Sequence, residues 1–246
     1  MELKIIGHVR SDFPEKFGIP RQSGLVEELK ARIVFEPEYR VAEAFRGLEG
    51  YSRIWVIWQF SEAVRENWSP TVRPPKLGGN KRMGVFASRS PFRPNPIGLS
   101  AVKLDRVEPD SPEGPVLHIS GADIMDGTPV LDIKPYLSYV DAYPDEQAGF
   151  ALQQREGVLQ VEFPPELLEK IPEGKRQALI AVLAQDPRPA YQENPERLYT
   201  MSFAGAEVSF TVEGEKLRVG CVTPAIPLGE TFLEERLSPK PPSKDF

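Results

Sequence analysis

The 246-residue sequence has a single cysteine, Cys221, and only two histidines, His8 and His118. One cysteine excludes an internal disulfide, and three Cys/His side chains cannot complete a four-ligand zinc site, so no metal is expected. Cys221 lies in the strand-like "KLRVGCV" and reads as a small buried hydrophobe. No two glycines stand at i and i+2, which removes the G-x-G-x-x-G dinucleotide turn, and the P-loop lysine pattern is missing too. No apolar run approaches the roughly 20 residues of a membrane span. The start, "MELKIIGHVRSDF", lacks a signal-peptide layout, so a cytoplasmic protein with no membrane partner is expected.

Acidic residues are missing from one place in particular. The formal net charge is −6, yet Ser69–Leu104 carries seven basic residues (Arg73, Lys76, Lys81, Arg82, Arg89, Arg93, Lys103) and no Asp or Glu. Six prolines stand between Pro70 and Pro96. Proline fixes φ and restrains its predecessor, so the arginines of "GVFASRSPFRPNPIGLS" are held at little entropic cost. Arginine forks match carboxylates and phosphates and stack on bases. A site for an anionic or planar ligand is the reading; a rigid edge loop with solvated charges is the alternative.

The first part of the chain is rich in strand signals. "LKIIGHV", "ARIVFE", "RIWVIWQF", "MGVFAS", "IGLSAVKLDRV", "VLHISG" and "TPVLDIK" are short, β-branched or aromatic, and mostly bounded by turn residues. One segment, "YRVAEAFRGL", has the helical period, with Val41, Ala44, Phe45 and Leu48 on one face. Trp55 and Trp58 sit in a continuous apolar run and read as core. Seven strands with so little helix predict a mainly β fold, a small antiparallel barrel over residues 1–145 with no Rossmann unit. After the polar "DAYPDEQAG", residues 150–237 predict a smaller α+β domain: a helix from about Gly174 to Gln185 and a hairpin turning at Glu213-Gly214. Residues 238–246 are a Pro/Lys-rich tail. Most of the acidity lies in this second part, with 11 Lys/Arg against 16 Asp/Glu from residue 146 on.

Three further segments carry chemistry. "FGIPRQSGL" frames Arg21 and Gln22 between Pro20 and Gly24. "DGTPVLDIKPYLSY" makes a tight turn at Asp126-Gly127-Thr128-Pro129, then a strand on which Asp132, Lys134 and Tyr136 alternate onto one face; a polar face with an Asp–Lys pair is the plain alternative. "AQDPRPAY" brings Asp186, Arg188 and Tyr191 to a proline-framed corner, which reads as an RNA contact, an interdomain corner or a helix-stop turn.

Together with "PTVRPPKLGGNKRMGVFASRSPFRPNPIGLS", these segments closely resemble the TsaA-like (TrmO) family of bacterial and archaeal tRNA methyltransferases. The resemblance covers nearly the whole chain apart from the tail. It implies a β-barrel that binds S-adenosyl-L-methionine without a Rossmann fold, methylation of N6 of threonylcarbamoyladenosine just 3′ of the anticodon, a second domain that helps hold tRNA, and a homodimer. Matched motif by motif, it implies cofactor contacts at Pro20, Arg21, Gln22, Arg89, Leu99 and the Asp126, Gly127, Thr128, Pro129 turn. The family's pair after the aromatic strand, often His-Gln, is Ser61-Glu62 here, a departure that bears on that one contact. Methyl transfer to N6 needs an in-line approach and a proton acceptor. Asp132, ahead of Asp126, is assigned as that acceptor, with Tyr136 orienting the base and Lys134 or Arg93 holding the threonyl carboxylate; Arg82, Asp186, Arg188 and Tyr191 are further substrate contacts. Two other readings remain open: a non-catalytic module binding S-adenosylmethionine or tRNA, and a small-molecule N-methyltransferase.

Overall fold

The computed structural model describes residues 2–74, 81–147, 149, 158–188 and 194–225. Its centre is a closed six-stranded antiparallel barrel. The strands are β1 (Gly7–Arg10), β2 (Lys30–Phe35), β3 (Arg53–Gln59), β6 (Ile97–Ser111), β7 (Gly114–Ser120) and β8 (Pro129–Pro135), in the spatial order β1-β2-β7-β6-β3-β8. Alternation places the side chains. In β3, Ile54, Val56 and Trp58 turn inward to a core with Val9, Ile33, Val102, Leu117, Ile119 and Val130, while Arg53, Trp55 and Ile57 face outward. The fold is mainly β, as the strand-rich pattern requires.

Two local expectations fail, each for a visible reason. "MGVFAS" contributes no barrel strand. Only Met83–Gly84 (β5) is extended, paired with Thr71–Val72 (β4), and the chain then coils into a 3₁₀ turn at Val85–Ala87. The helical-looking 39–48 segment forms separate 3₁₀ turns at Ala42–Phe45 and Leu48–Gly50, with Gly47 between them at φ 88°. Phe45 alone of that face is buried, edge-on to Phe35 at 4.7 Å. One anchored ring does not supply the packing that a short helix needs to offset its nucleation cost.

The second unit is a four-stranded sheet in the order β10 (Tyr199–Phe203), β11 (Ala206–Glu213), β12 (Lys216–Pro224), β9 (Gln160–Glu162), joined by α2 (Pro165–Leu168) and α3 (Glu173–Ala184). A hairpin joins β11 and β12 through Gly214-Glu215, one residue beyond the expected turn, and the main helix matches its expected limits closely. Ala178, Leu179, Val182 and Leu183 of α3 pack on Met201, Val208, Phe210 and Leu217. Cys221 is exposed rather than buried. A bulge shifts the β11–β12 register at Ser209/Phe210, so Val219 and Val222 point inward and both Gly220 and Cys221 lie outside. The expected tail, 238–246, lies outside the described residues.

One loop ties the barrel to this sheet. Between β1 and β2, Phe13, Val26 and Leu29 join the core of the second unit. The Asp12 carboxylate meets Lys175 Nζ of α3 at 2.6 Å, and its carbonyl accepts the Ala204 N–H at 2.9 Å. The loop is therefore held at both ends, and its middle, residues 16–23, is available to form the wall of a site.

Candidate active site

That wall closes a cavity of about 740 Å³ at one end of the barrel. Its opening follows from the sheet. Over residues 97–102, β6 pairs with β3 only, and its pairing with β7 begins at Lys103. One edge of β6 thus faces no strand among the described residues, and the loop around Ile19–Ser23 and the segment Asp123–Thr128 lie against the gap. A free strand edge offers backbone donors and acceptors to a planar ligand.

Buried Trp58 and Ser100 form the floor with the partly buried Asp123. Trp58 Nε1 donates to Ser100 Oγ at 3.0 Å, and Ser100 Oγ donates to Asp123 Oδ1 at 2.6 Å. The indole lies directly across the strand pair from Gly98, whose missing Cβ leaves the room it occupies. Burial raises the Asp123 pKa, opposed by the hydrogen bond from Ser100, the backbone N–H groups of Asp123 and Ser23, and the positive charge of Arg89. A desolvated carboxylate of this kind is the natural counter-charge for a cationic ligand.

The walls hold donors. Arg89 Nη1 bonds Gln22 Oε1, joining the two proline-framed loops. Arg21 Nη2 donates to the Arg188 carbonyl at 3.1 Å. Glu62 pairs with Lys16 at 3.1 Å. On the opposite side, Trp55 and Tyr136 lie with ring centroids 5.3 Å apart, and Trp55 Nε1 donates to Asp141 Oδ2 at 3.0 Å. Trp58 is core, whereas Trp55 is only half-buried and lines the cavity.

The structure gathers most of the sequence-derived residues here, but not all. Pro20, Arg21, Gln22, Ser61, Glu62, Arg89, Arg93, Leu99, Thr128 and Tyr136 line the cavity. Of the Asp126–Pro129 turn only Thr128 does. Asp126 Oδ1 instead accepts the Ser11 N–H at 3.0 Å, Gly127 takes φ 74°, and Pro129 is buried opposite His8. Asp132 and Lys134 are outside it, paired with each other at 2.9 Å and half-exposed. Asp132 nevertheless shares an outward-facing row with Leu99, each opposite Ile57 of β3. Arg82 reaches Thr71 Oγ1 at 3.4 Å across β4/β5. Arg188 grips Asp186 through two bonds of 2.8 Å, so their charges satisfy each other at the corner that holds Arg21. Tyr191 lies outside the described residues.

Sequence reasoning missed Asp123, Ser100 and Asp141. Asp123 carried a readable signal: an acid set between Ala122 and Ile124, two apolar residues that follow a strand. Among the described residues there is no cluster of three or more metal-ligating side chains, and no helix is long and apolar enough to cross a membrane.

Comparison with known proteins gives two family matches. Residues 8–142 match the tRNA-methyltransferase O N-terminal domain, and residues 156–225 match the TrmO C-terminal domain. The chain is 44% identical over 197 residues to the tRNA (adenine(37)-N6)-methyltransferase of Escherichia coli K12, covering 78% of this chain and 83% of that one. It is 42% identical over 202 residues to a putative S-adenosylmethionine-dependent methyltransferase of Pseudomonas aeruginosa, covering 79% and 85%. The crystal structure of TrmO from Pseudomonas aeruginosa superposes with a TM-score of 0.72 at 32% identity, covering 91% of this chain and 98% of the other.

Proposed function

Because the chain belongs to the tRNA-methyltransferase O family and is an S-adenosylmethionine-dependent tRNA (adenine-N6)-methyltransferase acting at position 37, we propose that its substrate is threonylcarbamoyladenosine at that position. The observation that carries the reading is the cavity itself, lined by Arg89 and Arg93 from a loop that carries no acidic residue. A threonylcarbamoyl group presents a carboxylate to such a lining, and unmodified adenosine does not.

The cavity suits the cofactor. S-adenosylmethionine carries a sulfonium, an ammonium, a carboxylate and an adenine, and the cavity sets Asp123 against positive charge and Arg89 and Gln22 toward negative or polar groups. Its volume lies within the range of small-molecule sites. We assign cofactor contacts to Pro20, Arg21, Gln22, Ser61, Glu62, Arg89, Leu99 and Thr128, with Asp126, Gly127 and Pro129 shaping the turn that presents Thr128. When bound, the cofactor supplies an activated methyl group, so no metal or added nucleophile is required.

The chain's own work is to align N6 and receive its proton. Tyr136, against Trp55, can stack on the base. The Asp132–Lys134 pair is exposed, and such pairs are worth only about 0–1 kcal/mol, so an incoming threonyl carboxylate can take Lys134, or Arg93, and leave Asp132 free as proton acceptor. The carbamoyl substituent withdraws electrons from N6 and eases that transfer. In this reading the barrel, residues 1–145, holds the chemistry, residues 150–237 contact tRNA through the Asp186–Arg188 corner, and the enzyme works in the cytoplasm as a homodimer.

The test is methyl transfer to tRNA with and without the prior threonylcarbamoyl group, followed by mass spectrometry of the nucleosides. Methylation is expected on the modified tRNA alone. Equal rates on unmodified adenosine 37 would reject the substrate assignment.

A further inference from the structure

Beside the cavity mouth, the chain exposes aromatic rings that its own fold does not use. Phe86 is 73% exposed, Trp68 51% and Phe92 39%. They form two units. Trp68 and Phe86 stand with centroids 6.0 Å apart and planes inclined by 32°. Arg65 lies over the Phe92 ring, its Cζ 3.9 Å from the centroid. Phe92 is flanked by Pro91 and Arg93, both of which line the cavity. Phe86 sits three residues before Arg89, in the 3₁₀ turn that follows β5.

The backbone that carries Phe86 and Phe92 is held by hydrogen bonds. Val85, beside Phe86, is buried, and its N–H donates to the Pro70 carbonyl at 2.9 Å. Ser88 Oγ donates to the Val85 carbonyl at 2.8 Å. Arg93 Nη1 donates to the Ser88 carbonyl at 3.1 Å, which locks the loop around the guanidinium. Positive charge prevails around them: Glu66 stands between Arg65 and Trp68, but from Asn67 to Leu104 the chain carries seven basic residues and no acidic one.

Solvent-facing rings interleaved with arginines on a held backbone match unstacked nucleic-acid bases. Aromatic faces accept any base, guanidinium planes add stacking, and positive charge draws the phosphates between them. A second copy of this chain fits less well, because two such faces would bring cation against cation. We propose that Trp68, Phe86 and the Phe92–Arg65 pair form a stacking platform for the unpaired bases that flank the target adenosine in single-stranded RNA. The inference rests on the tRNA reading above. It adds a reason why the enzyme would act on that nucleoside within a loop: neighbouring bases are held splayed on the platform while the target enters.

Binding of an anticodon stem–loop RNA, followed by fluorescence anisotropy, tests this with Trp68→Ala, Phe86→Ala and the ring-preserving Phe86→Tyr. Each alanine variant should weaken binding by roughly 5- to 100-fold. Phe86→Tyr should bind as the wild type does, and all three should keep wild-type affinity for S-adenosylmethionine and wild-type sedimentation. Unchanged RNA affinity in both alanine variants overturns the platform. So does a loss of affinity that follows dissociation of a dimer in the centrifuge, which would make this face a contact between copies. Wild-type enzyme that methylates tRNA while the alanine variants bind normally refutes the platform alone. Absence of methylation with the expected loss of RNA binding refutes the tRNA reading and leaves the platform standing.

Discussion

Gly98→Ala should break the site from within the sheet. A Cβ at Gly98 would lie 2.3 Å from Trp58 Cε2 and 2.5 Å from Cζ2, about 1 Å inside ordinary carbon–carbon contact at roughly 3.5 Å. The indole has nowhere simple to go. It is 7% exposed, and Phe60 packs on it with ring centroids 4.2 Å apart. Overpacking of this kind costs about 1–3 kcal/mol, and tilting the ring forfeits the Nε1 bond to Ser100, worth about 0.5–1.5 kcal/mol. The sum, about 2–4 kcal/mol, corresponds to a fall in Tm of about 5–15 °C for a chain of this size. Calorimetry should also show weaker S-adenosylmethionine binding, since Ser100 and Asp123 shift with the ring. Trp58→Phe in the same chain replaces the indole by a smaller ring that can move off the new Cβ, but it cannot restore the donor. The double variant should therefore recover most of the Tm and little of the affinity. A Gly98→Ala protein that melts and binds cofactor as the wild type does would refute the close-packing argument.

Arg89→Ala removes a charge-assisted contact of about 1.5–3 kcal/mol, so titration calorimetry should show roughly 10- to 150-fold weaker cofactor binding in a folded protein; unchanged affinity would reject Arg89 as a ligand. Asp132→Asn keeps shape but not basicity, and single-turnover methylation should fall roughly 10²- to 10⁴-fold with Tm and cofactor affinity preserved; a near-normal rate would move the proton acceptor elsewhere. Asp123 has a folded pKa above its ordinary value of 3.8, so between the two values the native state keeps a proton that the unfolded chain releases. Wild-type stability should therefore fall as pH rises from 3.8 through the folded pKa, and Asp123→Asn should abolish that slope. Melting curves across pH should show the variant gaining on the wild type toward neutrality, and a constant difference would show that Asp123 is not a buried acid.

Short β-branched and aromatic runs bounded by turn residues marked the six barrel strands in the sequence, and the closing of the barrel decided their phase. In β3 a slip of one residue would expose Ile54, Val56 and Trp58 together. The 3.6-residue period likewise marked α3, where four apolar side chains find a sheet to cover. The same period at 41–48 meant little, since local sequence does not say whether a face will meet a partner. Proline-framed arginines and the Pro20–Gln22 loop were legible as a site because their rigidity is written in the chain. The floor was not. Trp58, Ser100 and Asp123 are far apart in sequence and meet only because the barrel closes and β6 loses its β7 partner below Lys103. The trio at the end of β8, with Tyr136 just beyond the strand, shows the division most clearly. Alternation put Asp132, Lys134 and Tyr136 on one face, but the boundary of the cavity across that face is drawn by Trp55 and Asp141 from other segments, and it admits Tyr136 while leaving Asp132 and Lys134 beside it. Which residues share a face is a matter of backbone period; which part of that face is enclosed depends on what the rest of the chain packs over it.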